Sequence, residues 1–194
     1  MNYIVYLKTL IMKHKRLVAY IIDFLILSII ITIIPINDDI KKLNKDININ
    51  NNLMIEKEIA YSEYFENYKI LKYELDKEFT VNLMFNLFLT LIYFVILPFK
   101  LKGQTIGMKI TKIKINSINI KKLLYRTVII NFTGYMFINL VLILLLNKKY
   151  YFYGYLISTL LAYLLVFISA FMVLYRQDKK GLQDVLTKTK MIKN

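Results

Sequence analysis

The chain has 194 residues, of which 57% are hydrophobic and 21% charged, and its formal net charge is +14. With no cysteine and a single histidine, His14, it has almost no raw material for disulfides, thiolate-metal sites, histidine-based zinc sites or a Ser-His-Asp triad. Because the lysines flank long apolar runs, retention on the cytoplasmic side of a membrane explains the positive charge, and we expect no nucleic-acid binding. Residues 1–194 are expected to form a single membrane domain.

Residues 17–36 form the first predicted transmembrane span, because about 20 mostly apolar residues cross a bilayer core. The preceding residues, 1–15, predict a segment at the membrane interface rather than a span or a signal peptide. Arg16 and Asp23 lie two helical turns apart and therefore nearly on one face. An acid within a span is disfavoured in lipid, so Asp23 should face other helices or water. It either holds helices together or helps to bind or move a solute.

A polar loop, 37–79, follows the first span. Its Asn-rich stretch, NKDININNN, predicts a mobile or turn-like segment. The second half steps in apolar residues by three or four, which predicts a helix leading into the next span. A solvated loop with an exposed helix is the first interpretation, and a ligand-binding cap is the alternative.

The second predicted span covers residues 80–99, where Asn82, Asn86 and Thr90 recur every four residues along one face. Such a ladder either bonds another helix or lines a polar cavity. The next segment, 100–122, is rich in lysine and has no acid. Its alternating pattern predicts a small hairpin on the membrane surface, with an amphipathic helix as the alternative. Its lysines would face anionic lipid headgroups.

Two further spans are predicted at residues 123–146 and 151–175, the first carrying Arg126, Asn131 and Asn139. The basic tail is too polar to span a membrane. The acid-free segment at 100–122 should stay inside the cell and the loop 37–79, with its ten acids, outside. The sequence therefore predicts an all-α integral protein of the cell membrane, with four transmembrane helices and both termini cytoplasmic.

Three separated stretches together resemble the RDD family of small membrane proteins. RLVAYIID is similar to the R-x-x-A-x-x-x-D opening of the family. GQTIGMKI, with the later YRT, is similar to a G-x-T-x-G-K segment that is followed by an arginine. GLQDVLTKT is similar to a closing G-L-H-D-x-L-x-x-T. The chain departs from the family at Met108, which separates the second glycine from the lysine, and at Gln183, which replaces a histidine. The matching residues are Arg16, Asp23, Gly103, Thr105, Gly107, Lys109, Arg126 and Asp184.

The resemblance implies a transport-like membrane protein, with sodium/proton exchange suggested for some family members. It implies neither an enzyme nor a cofactor, and we find no catalytic residue pattern and no metal-ligand spacing in the sequence. If the family histidine relays protons, Gln183 cannot do so here.

Two function hypotheses follow from these patterns. In the first, a homo-oligomer exchanges a monovalent cation or a proton across the membrane, at a site formed by Asp23 with Asn82, Asn86, Asn131 and Asn139, since carboxylate and amide oxygens suit hard cations. In the second, the protein does not transport. Its basic cytoplasmic face then binds anionic lipids or a protein partner, and Arg16, Asp23 and Asp184 are structural. In either case Asp184 is predicted to fold back onto an arginine at the cytoplasmic surface, Arg16 first and otherwise Arg126.

Overall fold

The computed structural model describes residues 3–32, 37–116, 118–130, 133–178 and 180–194, and these residues are mainly helical. Two short strands complete the secondary structure of the described residues. In chain order the elements are α1 (Tyr3–Thr32), α2 (Asp38–Ile55), α3 (Tyr61–Glu78), α4 (Thr80–Leu91), a π-helical turn (Ile92–Ile96), α5 (Leu97–Lys100), α6 (Ile106–Ile110), β1 (Ile113–Asn116), α7 (Ile120–Ile130), α8 (Thr133–Leu145), α9 (Lys148–Tyr175), α10 (Leu182–Leu186) and β2 (Lys190–Lys193).

Two of the described helices are long and apolar enough to cross a membrane, namely the continuous helix Thr80–Lys100 and α9. The pair α7 and α8 would add a third if the two helices form one span. The predicted count of four spans is therefore not confirmed. Helix α1 covers the predicted first span up to Thr32, and residues 33–36 lie outside the described residues. It begins at Tyr3, so the predicted interfacial segment and the first span share one helix.

The third predicted span was expected to be one helix, but its described residues form α7 and α8, which are inclined by 73° to each other. Gly134 permits this bend, because a Cβ at that position would lie 3.0 Å from the Val128 carbonyl oxygen. Asn131, one of the predicted ion-site residues, lies outside the described residues.

The second predicted span contains a π-helical turn just before Pro98. Proline lacks the N–H that would continue the α-helical ladder, and its ring crowds the carbonyl four residues earlier. The ladder widens here, so that the Leu97 N–H bonds the Ile92 carbonyl five residues back. The turn buries Tyr93 and Val95, and Tyr93 thereby reaches the first helix.

The prediction of a mobile Asn-rich stretch is wrong, because α2 runs through it. Asparagine is a weak helix former, so tertiary contacts have to supply the stability. Helix α2 packs against α3, where the Asn50 amide donates to the Tyr64 carbonyl at 3.1 Å and the Tyr64 hydroxyl donates to Asn51 at 3.2 Å. The predicted helix leading into the second span is confirmed as α3, which ends at Glu78 just before α4.

The predicted hairpin in the basic segment is wrong in its pairing. Residues 113–116 do form a strand, β1, but its antiparallel partner is β2 at the end of the chain, with Ile113 opposite Lys193 and Asn116 opposite Lys190. Ile120 begins α7 instead of a returning strand. Pairing with the tail lets β1 bury Ile113 and Ile115 in the core, beside Ala19, Val95, Met108 and Leu123.

Candidate functional site

Asp23 is the centre of the first polar cluster, and its side chain is held by neutral donors. The residue is 1% exposed. Its Oδ1 accepts a hydrogen bond from the Tyr93 hydroxyl at 2.6 Å and another from the Gly107 N–H at 2.7 Å. Its Oδ2 accepts one from the Thr105 hydroxyl at 2.6 Å. The carboxylate therefore links α1 to the π-helical turn and to the start of α6.

The short helix α6 reaches Asp23 because small residues let it approach α1 closely. A Cβ at position 107 would lie 2.2 Å from the Ala19 carbonyl oxygen, so only glycine fits there without a shift of the backbone. Thr105 caps α6, accepting from the Met108 N–H at 3.2 Å while donating to Asp23. Met108, which departs from the family pattern, is buried in the core, whereas Lys109 is exposed.

Gly103 turns the chain from the second span towards β1. Its φ of +94° lies in the left-handed region that favours glycine. A Cβ there would also lie 2.5 Å from the Ile115 carbonyl oxygen. Gly103 donates to the Pro98 carbonyl at 2.7 Å and accepts from the Ile115 N–H at 2.9 Å. The glycines of the G-x-T-x-G stretch thus set the path of the backbone, and its threonine contacts the acid.

Asp184 is the centre of the second cluster and binds two arginines. The residue is 0% exposed. Its Oδ2 accepts from Arg16 at 2.5 Å and from the Gly181 N–H at 3.0 Å, and its Oδ1 accepts from Arg126. Arg126 also donates to the Thr189 hydroxyl. The prediction that Asp184 folds back onto an arginine is confirmed, and it binds both predicted candidates at once.

The two guanidinium groups decide the charge state of Asp184. Burial alone would raise the pKa of this carboxyl group, but the charges of Arg126 and Arg16 outweigh burial and hold the pKa below its ordinary value. The neighbouring Gln183 is also buried, and its Oε1 accepts a hydrogen bond from the Ser169 hydroxyl. The amide at the position of the family histidine thus ties α10 to α9 without a titratable group.

Among the described residues, none of the predicted asparagine ligands is a hydrogen-bond partner of Asp23. Asn139 accepts a hydrogen bond from Ser158 at 3.2 Å, between α8 and α9. Asn82 is half-buried, and Asn86 has a buried Oδ1 with no hydrogen-bond partner among the described residues. The hydrogen-bond partners of Asp23 are instead Tyr93, Thr105 and Gly107. Within the described ranges, no group of three or more His, Asp or Glu side chains could hold a metal ion.

Three cavities between the helices share lining residues. An inner cavity of about 70 Å³ is bounded by Arg16, Asp23, Arg126 and Met191 among others. A central cavity of about 340 Å³ shares Tyr20 and Phe94 with it. An outer cavity of about 100 Å³, bounded by Asp76, shares Tyr135 and Tyr155 with the central one.

Sequence reasoning missed the tyrosines that connect these cavities. Tyr20, Tyr135 and Tyr155 lie on different predicted spans and line the central cavity. Tyr135, in the middle of the third predicted span, was the available signal, whereas Tyr20 and Tyr155 lie near the ends of their spans, where tyrosine is common. Asp76 was also missed, because it looked like one of many loop acids. Its carboxylate accepts from the Tyr151 hydroxyl and from Lys72, both at 2.7 Å.

A family model described as the RDD family matches residues 13–188 of this chain. No curated protein and no solved structure matches it. The matched range contains both polar clusters, from Arg16 at its start to Asp184 near its end.

Proposed function

The chain belongs to the RDD family, and from this premise we propose that it is a membrane transport protein in which a monovalent cation or a proton passes along the three linked cavities. The observation that carries the proposal is that neighbouring cavities share lining residues, Tyr20 and Phe94 in one pair and Tyr135 and Tyr155 in the other. A transport path needs polar groups at membrane depth, and such groups are rare unless they serve a solute or a helix contact.

The chemistry of the path favours a small hard cation or a proton. A carboxylate bounds the outer cavity at Asp76 and the inner cavity at Asp23. Between them the lining offers hydroxyl oxygens of tyrosine, serine and threonine, with no lysine or arginine in the central cavity. Oxygen donors replace the hydration shell of hard cations, and hydroxyls also carry hydrogen-bonded water.

In this proposal Asp23 couples the presence of a cation to the position of a helix, and it does not bind the cation as a free ligand. Both of its oxygens already accept hydrogen bonds from Tyr93, Thr105 and Gly107. The approach of a cation would weaken the hydrogen bonds that depend on the charge of the carboxylate. Since those bonds hold α6 against α1, occupancy of the inner cavity would be linked to the position of α6. The proposal assigns no ligand role to the asparagines.

The tail closes the inner end of the path. Met191 of β2 and Arg126 line the inner cavity, and Asp184 and Thr189 hold Arg126 from the other side. Transport therefore requires this end to open. We expect a homo-oligomer to support that motion, because few spans make a thin bundle.

The proposed orientation of the protein in the membrane rests on which segments lie together at each end. The turn of α1 that carries Arg16, the G-x-T-x-G stretch, the turn of α7 that carries Arg126, and the tail lie together around Asp184. At the other end α3 packs against the start of α9, where Tyr151 bonds Asp76. The acid-free lysines belong to the first end, and we assign that end, with both termini, to the cytoplasm of the cell membrane.

A labelling experiment tests the sidedness. Asn52→Cys in α2 and Asn116→Cys in β1 both create exposed thiols in a chain that has no cysteine of its own. In intact cells an impermeant maleimide should label the first and not the second, and lysis should make both reactive. Equal labelling in intact cells would reject the assignment.

The transport proposal is tested by flux into liposomes that contain the purified full chain. Ala162→Trp would fill the central cavity, which Ala162 lines. Leu160→Trp, on the outer face of the same helix at 68% exposure, is the matched control. We expect protein-dependent sodium or proton flux that Ala162→Trp lowers at least about tenfold and Leu160→Trp leaves unchanged.

The alternative function is a non-transporting interaction protein that uses its basic face. The complete bonding of both buried aspartates favours it, since a saturated carboxylate can be purely structural. Absence of protein-dependent flux of either ion, in liposomes where the chain is folded and oriented, would support this alternative and overturn the transport proposal.

A further inference from the structure

A cationic pocket of about 270 Å³ adjoins the Asp184 cluster, on the surface formed by the residues after α9. Its charged lining residues are Arg176, Asp178, Lys180, Asp184, Lys188 and Lys190. Four of these side chains are cationic and two are acidic. The cavities of the proposed path do not include it, and its volume lies slightly below the roughly 300–1,000 Å³ of sites for whole small molecules.

The two acids of the pocket are already bonded to cations. Asp178 accepts two hydrogen bonds from Arg176, at 3.0 and 3.1 Å. Its Oδ2 also lies 3.8 Å from the Lys180 Nζ. Asp184 forms ion pairs with Arg16 and Arg126, neither of which lines the pocket. Both acids are therefore neutralised, while Lys188 and Lys190 remain exposed at the rim. The pocket consequently presents an excess of positive charge to whatever enters it.

An apolar surface adjoins the positive charge. Arg176 directly follows α9, whose last turns expose Phe171 and Tyr175. On the other side of the pocket α10 exposes Val185 and Leu186. Tyrosine next to arginine at the end of a long apolar helix is typical of the interface between acyl chains and headgroups. The pocket thus joins a site for an anion to a surface for hydrocarbon.

We propose that this pocket binds the phosphate headgroup of an anionic phospholipid, whose acyl chains lie along the exposed end of α9. Lys188 and Lys190 contact the phosphate oxygens. Arg176 shares its guanidinium between the lipid and Asp178, because an exposed ion pair is weak enough to be partly displaced. A free phosphate ion offers the same oxygens but would leave the apolar surface uncovered. The proposal does not depend on transport.

The test is lipid binding by the purified full chain in detergent, followed by native mass spectrometry. The probes are dioleoylphosphatidylglycerol and, as the neutral comparison, dioleoylphosphatidylcholine. We expect the native chain to retain the anionic lipid in preference. Lys188→Gln with Lys190→Gln should weaken its binding about 30-fold, which corresponds to about 2 kcal/mol at 1.4 kcal/mol per factor of ten.

The matched control is Lys148→Gln with Lys149→Gln. It removes the same charge at the other end of α9, about 42 Å away at 1.5 Å per residue. This variant should bind the anionic lipid like the native chain, and both variants should keep the native unfolding temperature, since all four lysines are exposed. Equal weakening in both variants, or no weakening in the first, would overturn the site. Full displacement of the lipid by inorganic phosphate would assign the pocket to a free anion and overturn the lipid proposal.

Discussion

Asp23 and Asp184 are the same residue type, equally buried, and yet they are stabilised in opposite ways. Asp23 lies inside a long apolar helix and receives hydrogen bonds from two hydroxyls and a backbone N–H. Asp184 lies in the tail and receives its bonds from two arginines and a backbone N–H. The first cluster keeps a negative charge dispersed over neutral donors, and the second carries an excess of positive charge.

This difference indicates what each cluster can do. A carboxylate with neutral donors can lose its charge without leaving another charge unpaired. A carboxylate between two arginines cannot, because its loss would leave both arginines without their shared anion. Asp184 is accordingly a structural ion-pair centre, and the coupling role that we propose belongs to Asp23.

A charge reversal in the tail should have the largest effect on stability. Asp184→Arg would place three cations together, and we expect a loss of at least about 3–5 kcal/mol, the usual effect of breaking a buried ion pair. Unfolding temperature in detergent measures the loss. Adding Arg16→Asp should restore part of the stability, whereas the control Asp178→Arg, at an exposed acid, should change little. No loss from Asp184→Arg would mean that the tail is not held by this cluster.

The second prediction concerns Asp23. Asp23→Asn keeps the size of the side chain and removes its charge, so the chain should still insert, with a loss of about 1.5–3 kcal/mol for hydrogen bonds to a charged group. Any cation or proton flux in liposomes should disappear. Tyr93→Phe, which removes one donor and keeps the charge, should retain flux. Unchanged flux in Asp23→Asn would refute the coupling role, and a collapse of expression would assign Asp23 to structure.

A third prediction tests the close approach that supplies a donor to Asp23. Gly107→Ala should destabilise the fold by about 1–3 kcal/mol, because its Cβ would meet the Ala19 backbone at 2.2 Å. Gly154→Ala is the control, since its Cβ would meet the ends of leucine side chains at 3.2 to 3.3 Å. That change should be neutral or stabilising by up to about 1 kcal/mol. Similar melting temperatures for the two variants would show that α6 does not need its tight contact.

The smallest expected effect is the pH dependence of the tail. The pKa of Asp184 is lowered in the folded protein, so its contribution is complete above the unfolded value of about 3.9 and is lost as the pH falls through the lower folded value. Unfolding temperatures between pH 5 and 8 should therefore not vary through this group. Loss of the β1–β2 pairing, followed by amide exchange, should begin only below about pH 4. Loss beginning near pH 6 would contradict the double arginine contact.

Part of this arrangement could be predicted from local pattern. The spacing of Arg16 and Asp23 predicts a shared helix face, and the position of Asp184 beside the last span predicts a partner among the cytoplasmic arginines. The alternation in β1 predicts a strand. Each of these predictions depends on neighbours within a few turns of helix or within one membrane interface, which sequence periodicity and span boundaries define.

The pairing of those elements was less predictable. The four-residue recurrence of Asn82 and Asn86 shows that they share a face, but not which helix that face meets. Their expected role beside Asp23 went instead to Tyr93, Thr105 and the Gly107 N–H. In the same way β1 could have paired with a neighbouring segment, and the Asn-rich α2 is a helix because α3 covers it.

By itself the sequence determined the membrane class of this protein, its family and the charged residues that had to be paired, because burying a charge in an apolar medium has a large cost whatever the fold. The tertiary structure alone decided the partners. A hydrogen bond forms between atoms about 3 Å apart, and that distance depends on the π-helical turn, the close α1–α6 contact and the return of the tail, all of which join residues far apart in the chain.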